Sequence, residues 1–178
     1  MSALHAEVSG QGRRDLVLLH GWGMNLRVWD GLAAALARRF RVIAIDLPGH
    51  GASDWDATAP HPAAQVFRVH ETLAPLTTRY HLLGWSLGGQ FALDLAAALP
   101  AAIERLRVAD LRAQLAQVKK PALVIAGRDD RITPPAASRA LAAALPKGRY
   151  QSLAGAGHVA FLSHPEAFAN LLRGFLRG

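Results

Sequence analysis

Residues Tyr80–Pro100 read YHLLGWSLGGQFALDLAAALP, and their interpretation decides the fold. The apolar run Tyr80–Leu83 stops at Gly84-Trp85-Ser86-Leu87-Gly88-Gly89, and helix-like spacing begins at once. A strand therefore runs straight into a helix, with one serine at the corner and glycines on both sides. An ordinary turn would account for that serine. So would a nucleophile, because Gly84-x-Ser86-x-Gly88 in this setting matches a nucleophile elbow. The glycines let the backbone turn without a Cβ clash. The hydroxyl is aimed out of the sheet, and the next helix turns its N-terminal N–H groups toward developing negative charge. The pattern alone arises by chance; its placement after an apolar strand favours the nucleophile.

Working outward, the same alternation recurs. Asp15–Leu19 (DLVLL), Arg41–Ile45 (RVIAI) and Ala122–Ala126 (ALVIA) are predicted strands, with a shorter one at Tyr150–Leu153. Trp29, Leu32, Ala33, Leu36 and Phe40 keep helical spacing, and a helix is predicted over Ala109–Val118. Ala63–Thr78 is predicted helical, with Pro75 kinking or ending it. Leu87–Leu99, Pro135–Leu145 and a final amphipathic helix carrying Phe168, Leu171, Leu172, Phe175 and Leu176 complete the pattern. This predicts an α/β fold, a mostly parallel sheet with helices on both faces. Sites in such sheets form at the carboxyl ends of strands, where the odd segments of this chain lie.

A serine hydroxyl needs a base, and the base needs an acid to orient it. In an elbow architecture the chain order is Ser, Asp or Glu, then His. Of the histidines, only His158 and His164 follow Ser86 and a later strand-end acid. His158 lies in the glycine-rich loop Gly155–His158, whereas His164 precedes Pro165 and reads as the entry to the last helix. Asp129 and Asp130 both follow ALVIAG, and spacing alone does not choose between them; either would also serve as a helix cap. The oxyanion hole needs two N–H donors. Leu87 supplies one, and the loop His20-Gly21-Trp22-Gly23 the other, through the Trp22 backbone with its indole as a pocket wall. The alternative for Trp22 is core filling. Gly21-x-Gly23 is not a dinucleotide fingerprint, since the third glycine and the later acid are missing.

Composition bounds the rest. The chain has 178 residues, 51% of them hydrophobic, which fits one domain over 1–178 with a real core. No apolar stretch reaches the ~18 residues of a membrane span, and MSALHAEVSG lacks the pattern of a secretory signal. A soluble, cytoplasmic protein is expected. With no cysteine there is no disulfide, cysteine nucleophile or thiolate metal site. The net charge of +7 comes from arginines and lysines scattered in ones and twos, so no nucleic-acid partner is predicted. An arginine-rich surface explains them, with attraction to an acidic partner as the sharper alternative.

LLHGWGMN, DLPGHGASD, GWSLGG, AGRDDRITP and GAGHVAFLSHP together resemble the α/β-hydrolase family, from near the N-terminus to the last helix. The family spaces its acid three residues after the glycine and four before the proline, so the resemblance selects Asp130 over Asp129. It implies Ser86 as nucleophile, His158 as base, and Trp22 and Leu87 as oxyanion and substrate contacts. It also implies a serine carboxylesterase needing no metal or organic cofactor. The motifs are most similar to those of members that act on methyl esters of acyl-carrier-protein-linked acids. A small-molecule ester is thus the implied substrate and acyl carrier protein an implied partner. The family usually adds another strand after the serine's helix, then a helical lid. Here Ala101–Leu106 runs almost directly into Arg107–Arg112, so the lid and most of one strand are expected to be absent near residues 100–110, with Arg105–Val108 as a stub. The lid's acyl channel and carrier-docking surface are then not carried over, and self-association through the uncovered pocket face is expected. The rival readings are a general short-chain esterase or other hydrolase on this scaffold, and a lidless non-catalytic form.

Overall fold

A computed structural model describes residues 3–58, 60–98 and 112–177. The chain divides into two compact units, Met1–Leu111 and Arg112–Gly178. In the first, β1 (Ala6–Ser9), β2 (Arg14–Leu19), β3 (Phe40–Ile45) and β4 (Tyr80–Gly84) form one sheet in the order β1-β3-β2-β4. β2 pairs in parallel with both β3 and β4, and β1 pairs antiparallel with β3 at the edge. The central place of β2 explains its unbroken apolar run, since both faces of such a strand are covered. Val17, Leu19, Ile43 and Ile45 share one core with Val66, Val69 and Leu73 of α2 (Pro62–Leu73) and Leu95 of α3 (Leu87–Ala98). Leu16, Leu18 and Val42 alternate with these and are buried on the opposite face.

Three local differences from the sequence reading have physical causes. β1 was not predicted; it is a four-residue edge strand with Val8 47% exposed, so it carries no apolar alternation. α1 (Asp30–Leu36) follows a 3₁₀ turn at Leu26–Trp29 and ends before Phe40, which opens β3 as a buried residue. α2 stops at Leu73, two residues ahead of Pro75, as the missing N–H of proline requires.

In the second unit, β5 (Ala122–Gly127) and β6 (Gly148–Leu153) pair in parallel, joined through α4 (Pro135–Ala144). A short α5 (Ala160–Ser163) leads to α6 (Pro165–Arg177), which buries Phe168, Leu172 and Leu176. Arg112–Gln117 is a 3₁₀ helix where an α-helix over 109–118 was expected. The start of that expected helix, the strand stub at 105–108 and the expected lid position near 100–110 lie outside the described residues. No helix among the described residues is long and apolar enough to cross a membrane.

Asp94, on α3, is partly buried, and its Oδ1 has no hydrogen-bond partner among the described residues. Burial pushes its pKa from 3.8 up to about 6. A carboxyl with a raised folded pKa favours the fold in its neutral form. Its contribution is therefore highest below pH ~4 and declines as pH rises through about 6. Asp94→Asn is expected to raise unfolding free energy at pH 7.5 by on the order of 1–2 kcal/mol, allowing for partial exposure, and to change little at pH 4. Urea denaturation at the two pH values checks this; an equal effect at both would assign the change to packing.

Candidate active site

The corner between β4 and α3 is built by close backbone approach. Leu19 and Gly84 are paired in the ladder, and the Trp85 N–H donates to the Leu19 carbonyl at 3.0 Å. A Cβ at Gly88 would overlap that same carbonyl oxygen, and a Cβ at Gly84 would overlap the Gly88 carbonyl. Side chains are thus excluded at both flanks of Ser86. Ser86 itself sits at φ +53°, the only positive-φ residue other than glycine among those described. The left-handed conformation costs a non-glycine residue about 1–2 kcal/mol, so the packing around it must hold it there. The side chain is exposed. Leu87 opens α3, where N–H groups lack an intrahelical acceptor.

The loop after β2 lies against this corner. A Cβ on Gly21 would come within 3.3 Å of the Ser86 Cβ and 2.9 Å of the Trp85 ring. Trp22 is 78% exposed, so it does not fill the core. Its ring meets His50 edge-on at 5.3 Å between centroids. Trp22, Met24, Asn25 and His50 line an open cleft of about 400 Å³.

Two residues that the sequence reading did not assign hold these loops. His20 is fully buried; its Nδ1–H donates to the Gly21 carbonyl at 2.8 Å, and its Nε2 accepts the Leu47 N–H at 2.9 Å. That pattern requires the neutral imidazole. Burial lowers the pKa of His20, opposed by the Gly21 carbonyl and reinforced by His50. Asp46, at the end of β3, accepts the Leu26 N–H on Oδ1 (2.7 Å) and the Ala52 N–H on Oδ2 (2.9 Å). Gly51, at φ +55°, leaves room for that carboxylate, which a Cβ would strike. The sequence signal was there: a strand-end aspartate followed by two spaced glycines in DLPGHG.

In the second unit, the loops after β5 and β6 meet. His158 Nδ1–H donates to Asp130 Oδ2 at 2.9 Å, and Asp130 Oδ1 accepts the N–H groups of Ile132 (2.8 Å) and Thr133 (2.9 Å). Burial pushes the Asp130 carboxyl up, but these three hydrogen bonds outweigh it and hold the group below the usual carboxylate range. Asp129 is exposed, its N–H bonded to the Ala156 carbonyl. Asp130 and His158 are therefore together and Asp129 is apart. Ser86, Leu87 and Trp22 are grouped in the first unit. His164 contacts Ser163, with Nδ1 and Oγ 2.9 Å apart, at the entrance to α6. Among the described residues no group of histidine and carboxylate side chains is arranged to hold a metal ion.

A mostly parallel sheet with helices packed on it, with a strained serine at a strand-to-helix corner, is the architecture of the α/β class of hydrolases. The chain belongs to the alpha/beta hydrolase family. The model of that family matches residues 16–116, and a second one, for the alpha/beta hydrolase fold, matches 101–165. The pimeloyl-[acyl-carrier protein] methyl ester esterase of Nitrosomonas europaea is 30% identical over 253 aligned positions, covering 96% of this chain and 98% of that protein. With 178 residues here, part of that relative has no counterpart in this chain. The enzyme of the same description from Aeromonas hydrophila is 45% identical over 104 residues, 58% of this chain and 40% of the relative. A solved hydrolase from Pseudomonas aeruginosa PA01 superposes with a TM-score of 0.85 at 26% identity, covering 97% of this chain and 94% of that one.

Gly88→Ala should cost about 3 kcal/mol, because its Cβ meets backbone that cannot yield. Gly89→Ala, whose Cβ stays 3.5 Å from the nearest atom, should be neutral or stabilising. Denaturant midpoints of the two variants decide whether close approach at Gly88 holds the corner.

Proposed function

We propose that this chain is a lidless serine carboxylesterase. Ser86 is the nucleophile, His158 the general base and Asp130 the residue that orients and charge-balances the imidazole. The observation that carries this reading is Ser86 itself, the one non-glycine among the described residues at positive φ (+53°), on an exposed corner beside the His20–Gly23 loop. The hydrogen bond from His158 Nδ1 to Asp130 supports it by fixing the tautomer whose Nε2 lone pair serves as base. In the proposed reaction Nε2 of His158 takes the Ser86 hydroxyl proton as Oγ attacks the ester carbonyl. The N–H groups of Leu87 and Trp22 stabilise the oxyanion, and His158 returns the proton to the departing alcohol. Water then attacks the acyl-enzyme by the same route.

The substrate class follows from relatives named for methyl ester hydrolysis on acyl-carrier-protein-linked pimelate. We take the acyl chain to lie against Trp22 and the cleft beside it, where an exposed indole gives apolar surface. The sequence between Leu99 and Arg112 is too short for the family's lid, so small soluble esters are the expected substrates, with little added benefit from an acyl carrier protein. The uncovered Trp22 face favours self-association.

Ser86→Ala should lower kcat/KM for p-nitrophenyl butyrate by about 10³-fold or more and abolish labelling by a fluorophosphonate, with the unfolding midpoint unchanged. Labelling that survives the substitution would remove Ser86 from the nucleophile role. Asp130→Asn should be far more damaging to kcat than Asp129→Asn, since an amide at 130 favours the wrong imidazole tautomer. The reverse order would transfer the acid to Asp129.

A further inference from the structure

The basic residues that are dispersed in the sequence are gathered by the topology of the first unit. Each of its three parallel strands is entered by arginine: Arg13 and Arg14 before and at the start of β2, Arg38 and Arg39 before β3, and Arg79 before β4. The register brings these entries side by side, with Arg14 paired to Phe40 and Asp15 to Tyr80. The Gln11 N–H donates to the Ala37 carbonyl at 3.1 Å and a Cβ on Gly12 would strike the Arg39 backbone, which joins the turns before β2 and β3 into one rim. Arg41 Nη2 donates to the Leu76 carbonyl at 2.7 Å, which ties in the chain before β4. All five side chains are exposed.

Arg41, on the same rim, is engaged by Asp15 through Nε (2.9 Å) and Nη2 (2.7 Å). Asp15 is the only carboxylate in the segments 10–15, 37–41 and 77–80. His81 reports the resulting field: burial lowers its pKa first, and the charges of Arg14 and Arg79 lower it further. The rim is at the amino ends of the strands. Ser86 follows their carboxyl ends, about 20 Å away for six-residue strands.

We propose that this rim is a docking surface for an acidic segment of another protein, separate from the candidate active site. Exposed guanidinium groups on adjacent turns suit carboxylates, which they bind bidentately as Arg41 already binds Asp15. Nucleic acid is less well matched, because stacking on aromatic rings supports its binding. The exposed tryptophans of this unit, Trp22 and Trp55, follow the opposite ends of β2 and β3. An anionic bilayer is less well matched for the same reason: the rim offers no large exposed apolar side chain among the described residues to insert.

The test compares two quadruple variants with equal loss of charge. One is Arg13→Ser/Arg38→Ser/Arg39→Ser/Arg79→Ser; the other is Lys119→Ser/Lys120→Ser/Lys147→Ser/Arg149→Ser, all exposed positions of the second unit. Fluorescence anisotropy measures binding of a labelled glutamate oligomer at low and moderate salt. A single-stranded oligonucleotide of equal charge and vesicles containing anionic lipid are measured alongside. The expected result is roughly tenfold weaker oligomer binding in the rim variant, under about twofold in the other, and a shallower salt dependence in the rim variant alone. If the rim variant does not fold, Arg38→Ser/Arg39→Ser tests the same point with a smaller expected loss. Equal weakening in both quadruple variants would reduce the effect to net charge and overturn the proposal. So would absence of oligomer binding, or tighter rim-dependent binding of the oligonucleotide or vesicles. Hydrolysis of p-nitrophenyl butyrate is expected to be unchanged in both, so failure of the esterase reading does not bear on this result.

Discussion

The carbonyl of Leu19 is the point on which the first unit turns. It ends β2, accepts the Trp85 N–H, and leaves no room for a Cβ on Gly88. These conditions admit one arrangement: β4 must stop at Gly84, and α3 must start with bare backbone pressed against the end of β2. Ser86 falls between, and the left-handed φ it adopts is the geometric remainder of that turn. Strain at this residue is thus imposed by packing that is stabilising elsewhere. The buried strands β2 and β3 and the helices α2 and α3 supply the apolar burial that keeps it in place.

The loops around the corner are ordered by polar groups that the same burial would otherwise penalise. His20 and Asp46 are both buried at the carboxyl ends of their strands, and each satisfies backbone N–H groups on a different loop. A carboxylate bound by two amides cannot shift without exposing them, and a neutral imidazole serving as donor and acceptor cannot flip its ring freely. Rigid loops result at the very place where Trp22 remains exposed. The second unit uses the same device at Asp130, where two amides on Oδ1 leave Oδ2 for His158. A fixed carboxylate is what gives the histidine a defined orientation.

Much of this was legible in the sequence, for physical reasons. Strands covered on both faces must be apolar throughout, so DLVLL, RVIAI and ALVIA announce themselves. A turn without room for Cβ must be glycine, so GWSLGG marks the corner. What was not legible lacks such a requirement. β1 is a short edge strand held through backbone pairing to β3, and AEVS carries no periodic signal. Arg112–Gln117 is a 3₁₀ helix although its apolar spacing is α-helical, and the start of the predicted helix lies outside the described residues. Strand position alone left Asp129 and Asp130 open and only the family resemblance selected Asp130; the loop geometry pairs that residue with His158.

The arginines teach the converse lesson. Arg13, Arg39 and Arg79 are far apart along the chain, and no run of charge warns that they belong together. In a parallel sheet, however, every strand is entered from the same end. A residue type that recurs just before each strand is therefore collected on one rim, just as the residues that follow each strand are collected around the site. In the first unit the arginines that precede β2, β3 and β4 thereby collect at one end, and Trp22, Asp46 and Ser86, which follow those strands, at the other. Because guanidinium charges repel, collecting them lowers the stability of the sheet unless solvent and salt screen them. One neutralising contact, Arg41 with Asp15, sits where the guanidinium also reaches the Leu76 carbonyl and is thereby tied to the chain entering β4. Arg13, Arg38, Arg39 and Arg79 are exposed, and screening by water and salt makes their mutual repulsion small.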